Sequence, residues 1–231
     1  SSIRSISQAL IMKKFSNILK LLTWNNQSFP IGSYCFSSGL EFAVESKIIK
    51  TGEELQYWLN DLLRYGSLHS DAIILLEACK LANEKEDKEI NNLNNFAISL
   101  NQSYEKYIEN YEQGKSFMKI TEDAWNHSFI SKKLVFPIAY ALASVQENIN
   151  IEDTLICYLH SSLCNLLAAG IKLIPLGQTE GQKIQIELNK YIEIEYKNLL
   201  KKSINDIGNC GWVNDIVSMK HENQFTRIFR T

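Results

Sequence analysis

The sequence predicts an all-α protein, a single-domain bundle of roughly eight to ten helices followed by a C-terminal extended tail. Only three prolines and ten glycines occur in 231 residues, and most segments repeat apolar residues every three or four positions. No segment alternates apolar and polar residues for long enough to indicate a strand. Hydrophobic residues make up 45% of the chain and charged residues 22%, the balance of a globular protein. We expect the helical domain to cover residues 1–217 and the tail residues 218–231.

The first helix is predicted from apolar residues that share one helix face: Ile11, Phe15, Ile18, Leu19 and Leu22. The basic stretch 12–14 before an apolar run resembles the start of a signal peptide. However, Asn17 and Lys20 interrupt that run, and no small-residue cleavage site follows. Met12 is a candidate native start, with residues 1–11 a non-native or disordered extension.

Start signals predict the next helices. Residues 51–54 (Thr-Gly-Glu-Glu) form a capping box, and Ser70 or Asp71 is expected to cap a helix that runs to about Asn83. The charged run "NEKEDKEINN" is interpreted as the polar link to the following helix.

The second half of the chain continues the pattern. The 3-or-4 spacing from Leu93 to Tyr111 predicts one continuous helix. A helix over residues 131–146 contains Pro137, which should kink it or mark its start. Asn150 is expected to cap the next helix, and residues 182–202 complete the set.

Composition excludes several classes of function. The net charge of −2 provides no basic field for nucleic acid, and no apolar run approaches the roughly 18 residues that span a membrane. The five cysteines are an odd number, widely spaced and without a Cys-x-x-Cys motif. This usage is typical of a reducing compartment, so we expect a cytoplasmic location.

Nucleotide binding is not supported. Residues 114–116 (Gly-Lys-Ser) match the end of a P-loop, but position 109 is Glu where that loop needs Gly, and a helix rather than a strand precedes it. We expect Gly114 to end one helix before a new helix begins.

Metal and catalytic sites are also not expected. Cys157, His160 and Cys164 share one helix face, but the rise between the two cysteines is about 10.5 Å, too far for both to bind one metal ion. We therefore expect a packed core face, with no metal and no cofactor. No Gly-x-Ser-x-Gly motif is present, and Cys35 has no histidine nearby in sequence. A small helical enzyme built on Cys35 or on the 157–164 face is the alternative.

Two stretches favour binding instead. In "FPIGSYCFSSGLEFAVE", residues 29–45, Pro30 is expected to start a turn, Gly32 to allow close backbone approach, and Gly39 to let the following helix pack closely. The tail combines aromatic residues and arginines, the types that dominate interface hot spots: Phe225, Arg227, Phe229 and Arg230. A tail of this kind is expected to order mainly on a partner. The alternative is that Phe225 and Phe229 dock together on their own bundle.

Four stretches in order, "FPIGSYCFSSGLEFAVE", "YEQGKSF", "IKLIPLGQTEGQK" and "SMKHENQFTRIFRT", resemble the UreF family of urease accessory proteins over residues 18–231. The resemblance implies an all-helical, homodimeric, non-catalytic chaperone. It implies a bridge between the accessory protein UreD (also called UreH) and the GTPase UreG in the complex that inserts nickel into apo-urease. A direct regulator of that GTPase, using Arg227 or Arg230 as an arginine finger, is the runner-up.

The resemblance implies these partner-binding residues: Pro30, Gly32, Ser37, Gly39 and Glu41 in the first motif, Gly177, Gln178 and Gln182 in the second, and His221, Glu222, Phe225, Arg227, Phe229 and Arg230 in the tail. Three positions depart from the family pattern. Ser38 replaces a larger polar residue, Cys35 replaces a frequent Ser, and Lys106 lies near where Arg is common. They affect the details of partner contact rather than the resemblance.

Overall fold

The structure is a computed structural model. It describes the backbone of residues 2–208, 212–225 and 227–231, and the side chains of these residues from Ile11 onward with the exception of Trp212. The described residues form these α-helices: α1 (Ser2–Trp24), α2 (Leu40–Glu45), α3 (Gly52–Arg64), α4 (Ser67–Glu84), α5 (Asp87–Ser99), α6 (Tyr104–Trp125), α7 (Phe136–Gln146), α8 (Ile151–Leu173), α9 (Gln178–Leu199) and α10 (Trp212–His221). Short 3₁₀ helices span Ser33–Cys35 and Ile204–Asp206. No strand occurs in these ranges, so the all-α prediction is confirmed.

Helix α7 lies at the centre of the bundle and packs against α4 and α6, while α8 and α3 pack against α9. The inward residues of α7 are almost all fully buried. Around them, aromatic rings of distant segments meet edge to face, with Trp24 5.7 Å from Phe117 and 5.9 Å from Tyr140 between ring centroids. Apolar burial of this kind is the main stabilising contribution to the fold.

Three local signals are confirmed. Thr51 and Glu54 form the reciprocal capping box at the start of α3. The side chain of Asn150 accepts a hydrogen bond from the backbone of Asp153 and caps α8. Pro137 stands in the first turn of α7, where its missing N–H is not needed, so it marks the helix start rather than a kink.

Several helix boundaries differ from the predictions, including the starts of α7, at 136 rather than 131, and of α9, at 178 rather than 182. The 93–111 pattern belongs to two helices, because α5 ends at Ser99 and Ser103 caps a new helix at Tyr104. Helix α4 begins at Ser67, so Ser70 and Asp71 lie inside it. The charged run is largely the end of α4 and the start of α5, with a link of only two residues.

Gly114 does not end a helix. It lies inside α6, which continues to Trp125, and is buried against the start of α7. A Cβ added at Gly114 would overlap the backbone oxygen of Leu134 and lie 2.9 Å from the backbone nitrogen of Phe136. Glycine is present because the two backbones touch there, and not because the helix stops.

The apolar face of α1 remains largely uncovered. Leu21 and Trp24 anchor the end of the helix in the core, and Lys20 pairs with Glu147 of the segment after α7. The predicted apolar face stays exposed, with Phe15 at 57% and Leu19 at 64%. The face is therefore real but is not part of this bundle's core.

By length and composition alone, α8 could cross a membrane, and it is the one such helix among the described residues. Residues along one face of it are buried against α4, α2 and α3, and α9 packs beside it. Leu155, Leu159 and Leu163 are fully buried there. This packing is that of a core helix of the bundle.

Candidate functional site

The first motif and the tail meet on the start of α6. We call residues 218–231 the terminal segment. Its first four residues are the last turn of α10, so the expected boundary at residue 218 falls inside a helix. The rest crosses the 29–45 motif in irregular conformation and is not detached from the bundle. The segment therefore has a binding site on its own chain. That a partner orders it further stays a prediction.

Glu41 organises that binding site. This residue lies on the short helix α2 and is only 3% exposed. One carboxylate oxygen accepts the backbone N–H of Ile228 at 2.6 Å and the other accepts that of Phe229 at 2.9 Å. The second oxygen also lies 3.2 Å from Nε2 of His221. One buried side chain thus satisfies two backbone donors and a histidine that are about 180 positions away in sequence.

His221 lies between two carboxylates. It is fully buried, and its Nδ1 is 2.7 Å from Oε2 of Glu105 on α6. The other oxygen of Glu105 accepts a hydrogen bond from Nη1 of Arg227 at 2.8 Å. With His221 protonated, two cations and two carboxylates balance within the cluster, as buried charges require.

The pKa of His221 is raised above its ordinary value of 6.5. Burial is the largest single influence and acts to lower it, but the hydrogen bonds and negative charges of Glu105 and Glu41 together outweigh burial. The cluster therefore favours the charged imidazolium.

The far end of the terminal segment is held by backbone contacts. The backbone oxygen of Thr231 accepts hydrogen bonds from the N–H and the hydroxyl of Ser37, both at 2.7 Å. The N–H of Arg230 donates to the backbone oxygen of Cys35 at 2.7 Å. Phe229 is 3% exposed, with Nζ of Lys172 from α8 5.9 Å from its ring centroid.

The two glycines of the first motif serve different purposes. Gly39 has φ +81°, and a Cβ there would lie 2.9 Å from the backbone nitrogen of Ser218, so α10 can approach α2 only because the residue is glycine. Gly32 also has a positive φ, +73°, but nothing lies within 4 Å of an added Cβ. Its role is the left-handed turn and not the close approach that the sequence suggested.

The alternative in which both tail aromatics dock together on the bundle does not describe the structure. Phe229 is buried, whereas Phe225 is fully exposed. The guanidinium of Arg227 donates hydrogen bonds to the Glu105 carboxylate and to the backbone oxygens of Glu222 and Gln224. The Glu222 carboxylate caps the first residue of α6 by accepting the N–H of Tyr104 at 2.9 Å. Of these four predicted residues, Phe229 is buried and Phe225 is exposed to solvent, while Arg227 and Glu222 fix the segment by their hydrogen bonds.

An open groove of about 480 Å³ lies beside the docked segment. Pro30, Gly32 and Tyr34 form one side, and Glu112 of α6 and Arg230 of the terminal segment form the other. Tyr34 is 64% exposed. Both predicted surface motifs therefore contribute to one concave face.

The remaining predicted residues lie elsewhere. Gly177, Gln178 and Gln182 are exposed at the start of α9. Among the described residues they share no hydrogen bond with the terminal segment. The structure brings the first motif and the tail together and leaves the second motif as a separate exposed set.

Sequence reasoning missed the acidic side of the site. Glu105 and Glu109 are both buried on α6, and the hydroxyls of Ser38 and Thr231 reach Glu109 at 2.9 and 3.4 Å. Lys106 lies between Glu109 and Asp71 of α4, with its Nζ 3.8 and 3.4 Å from their oxygens. The only sequence signal was a pair of acids four residues apart in an aromatic helix.

Helix α8 does not present a metal site of three or more ligands. Among the described residues no group of at least three His, Cys, Asp or Glu side chains is arranged to hold a metal ion. His160 lies 3.6 Å from Sγ of Cys164, and that thiol also contacts Gln185 of α9. Burial raises the pKa of both the Cys157 and the Cys164 thiols to about 11, which disfavours the thiolate that a metal or a nucleophilic mechanism needs.

Replacing Cys157 and Cys164 together with Ala should therefore leave urease activation, the activity that the resemblance to the UreF family implies, largely intact. Each change removes a half-buried sulfur and should cost on the order of 1 kcal/mol of unfolding free energy. The measurement is urease activity after co-expression, with helix content of the purified variant checked by circular dichroism. A folded double variant that fails to activate urease would contradict the expectation that these thiols only pack against their neighbours.

Comparison with known proteins agrees with the resemblance in sequence. A sequence model described as UreF matches residues 49–189. A "Urease accessory protein UreF" from Rhodopseudomonas palustris (strain HaA2) is 30% identical over 223 residues, which cover 94% of this chain and 94% of that protein. A protein of the same description from Bradyrhizobium sp. (strain ORS 278) is 32% identical over 220 residues, covering 93% and 92% of the two chains. By its fold, its motifs and these matches over nearly its whole length, the chain belongs to the UreF family of urease accessory proteins.

Proposed function

We propose that the protein is a non-catalytic chaperone required for GTP-dependent nickel insertion into apo-urease, and that it bridges UreD (also called UreH) and the GTPase UreG. In this proposal it acts as a homodimer in the cytoplasm, and nickel is the cargo of the assembly rather than a cofactor of this chain. Family membership supports the urease pathway. The arrangement of the terminal segment supports the bridging role.

The observation that carries the proposal is the outer surface of α10 and the terminal segment. The inner sides of both pack against the bundle. The outer sides carry large apolar side chains with these exposed fractions: Val213 54%, Ile216 54%, Met219 43%, Ile228 75%, and Phe225 fully exposed. Tyr104, at the start of α6, is 67% exposed beside Glu222. A helix and a following segment that expose this many large apolar side chains, one of them an aromatic ring, are typical of a protein interface.

A bridge needs two binding surfaces. The first is this apolar surface with the groove beside Pro30 and Arg230. The second is the exposed start of α9, with Gly177, Gln178 and Gln182. We propose the first surface for one accessory protein and the second for another.

The runner-up function is that of a direct activator of the GTPase, and the structure limits which of its two candidate arginines could act. Arg227 already donates to Glu105 and to two backbone oxygens, so it is not available to a transition state while the segment is docked. Arg230 is exposed and lines the open groove. An arginine finger on this chain would therefore be Arg230. GTP turnover by UreG alone and with this protein distinguishes the two functions, since a scaffold leaves turnover unchanged.

Replacing Phe225 with Ala should give a stable protein that captures its partners poorly. Because the ring touches solvent on all sides, its loss should change the unfolding free energy by less than about 0.5 kcal/mol. An aromatic anchor can contribute 2 kcal/mol or more to binding, so affinity should fall about thirtyfold. The measurement is co-purification with UreD/UreH, UreG and apo-urease, with and without GTP.

The matched control is Tyr57→Ala, which removes a 56% exposed aromatic ring from α3. It should leave capture unchanged. Normal capture by Phe225→Ala at limiting protein concentration would contradict the proposed interface.

A further inference from the structure

We propose that His221 is a proton-operated latch: its protonation holds the terminal segment on the bundle, and its deprotonation releases the segment as pH rises. The latch goes beyond the proposed partner role and does not rest on it, because every group involved belongs to this chain. As a consequence, the exposed apolar surface of α10 and the terminal segment forms only while His221 is protonated.

The geometry requires the charged form of the ring. His221 is fully buried, with a carboxylate against each nitrogen, Glu105 at 2.7 Å and Glu41 at 3.2 Å. Only the doubly protonated imidazolium can donate from both nitrogens. A neutral ring would turn a lone pair toward one of the two carboxylates, and that contact would become repulsive.

The same two carboxylates hold the rest of the segment. Glu41 accepts the N–H groups of Ile228 and Phe229, and Glu105 accepts Arg227. Loss of the His221 charge leaves the Glu41 and Glu105 carboxylates with Arg227, on Glu105, as the one cation that is hydrogen-bonded to either of them among the described residues. An unbalanced charge in a buried site is strongly unfavourable, and the cluster can relieve it by letting the segment leave.

Other charged groups surround the cluster but do not replace the latch. Lys106 of α6 pairs with Asp71 of α4 and with Glu109. Burial acts to lower the pKa of Lys106, but those two carboxylates outweigh it and raise the pKa, so Lys106 stays charged through neutral pH.

Two more charged groups take part in the contacts between the segment and the bundle. Lys172 of α8 lies over the ring of Phe229, and the Glu222 carboxylate faces the start of α6. The hydrogen bonds of the His221 ring among the described residues go to Glu105 and Glu41. Imidazole is the side chain whose ordinary pKa lies in the neutral range, so we assign the change of charge in that range to His221.

The direction of the pH dependence follows from the raised pKa. A histidine whose pKa is higher in the docked state than in the released state stabilises docking fully below the released-state value of about 6.5. That stabilisation declines as pH rises above 6.5 and is lost once pH passes the raised docked-state pKa. Each unit of difference between the two values changes the ratio of docked to released segment about tenfold.

The test is an NMR titration of the full chain, from about pH 5.5 to about pH 8.5. The ring signals of His221 should titrate above pH 6.5, and the amide signals of Ile228 and Phe229 should shift toward random-coil positions with the same midpoint. A His221 midpoint at or below 6.5 would overturn the latch. So would tail amide signals that stay constant while His221 titrates.

Two variants complete the experiment. In His221→Gln the amide side chain carries no charge, so the tail amides should be in the released position at every pH, with the helical signals of α4 and α7 unchanged. His160→Gln, which changes an exposed histidine on α8, should retain the wild-type titration. A His221→Gln chain whose tail stays docked would show that the imidazolium charge is not what holds the segment.

Discussion

Replacing Gly114 with Ala should destabilise the protein although Ala is the better helix former. The added Cβ would overlap the backbone oxygen of Leu134 and come within 2.9 Å of backbone atoms of Val135 and Phe136. These are backbone atoms at the start of α7, so no rotamer change relieves the contact. Either α6 or the centre of the bundle must shift.

The size of the effect follows from two opposing contributions. Overpacking of a tight core costs about 3 kcal/mol, and the gain in helix propensity from Gly to Ala returns about 1 kcal/mol. A net loss of about 2 kcal/mol should lower the melting temperature by about 4–8 °C in a chain of this size. Thermal and urea unfolding followed by circular dichroism measure it.

Gly208→Ala is the matched control, because nothing lies within 4 Å of a Cβ added there. It should be neutral or slightly stabilising, since Ala restricts the unfolded chain. Equal stability of the two variants would show that α6 and α7 are not in backbone contact at Gly114.

Gly114 also shows what the sequence could and could not predict about the fold. The signals that were interpreted correctly are local: a capping box at Thr51, a cap at Asn150 and a proline at position 137 act within four residues. The glycine was interpreted locally too, as a helix end. Its cause is the approach of a segment 20 positions later, which no local pattern contains.

The break between α5 and α6 has a similar explanation. The 3-or-4 spacing from Leu93 to Tyr111 continues across residues 100–103, but it joins two different faces: Leu93 and Ala97 of α5 are buried, whereas Tyr104 of α6 is 67% exposed. The amide of Asn101 turns back onto the carbonyl of Ala97, and Ser103 starts the new helix. A cap residue inside a periodic pattern was the one available signal.

For the candidate site, sequence reasoning identified residues but not their connections. Glu41, His221 and Arg227 were all singled out, yet Glu105, which joins the last two, was not. The partners are more than 60 positions apart, and a single sequence contains no information on such pairings. The resemblance supplied the residues, and the fold supplied the reason that they occur together.

Replacing Glu41 with Ala should detach the terminal segment while leaving the bundle folded. The variant removes the acceptor for the N–H groups of Ile228 and Phe229 and one of the two carboxylates that face His221. Breaking a buried charge pair costs about 3–5 kcal/mol, and each buried unsatisfied N–H adds about 1–3 kcal/mol. These costs apply only while the segment remains docked.

Release of the segment limits the loss. Once the segment leaves, His221, the two N–H groups and Arg227 all reach water, so the variant cannot lose more than the free energy that docking contributed. The packing of α4 against α7 and of α8 against α9 is made by those helices themselves, so it should be kept when the segment leaves. We therefore expect amide hydrogen exchange at residues 227–231 to accelerate at least about a hundredfold, the equivalent of about 3 kcal/mol.

Two measurements separate local release from global unfolding. Exchange protection in α7 and the helical signal at 222 nm should remain close to those of the unchanged protein. Glu45→Ala, an exposed carboxylate on the same short helix α2, should leave the protection of the segment unchanged. If Glu41→Ala instead lowers protection in α7 and in the segment by the same factor, the segment belongs to the cooperative core. A segment that stays protected would show that Glu41 is not its anchor, and the apolar outer surface would then not depend on this buried carboxylate.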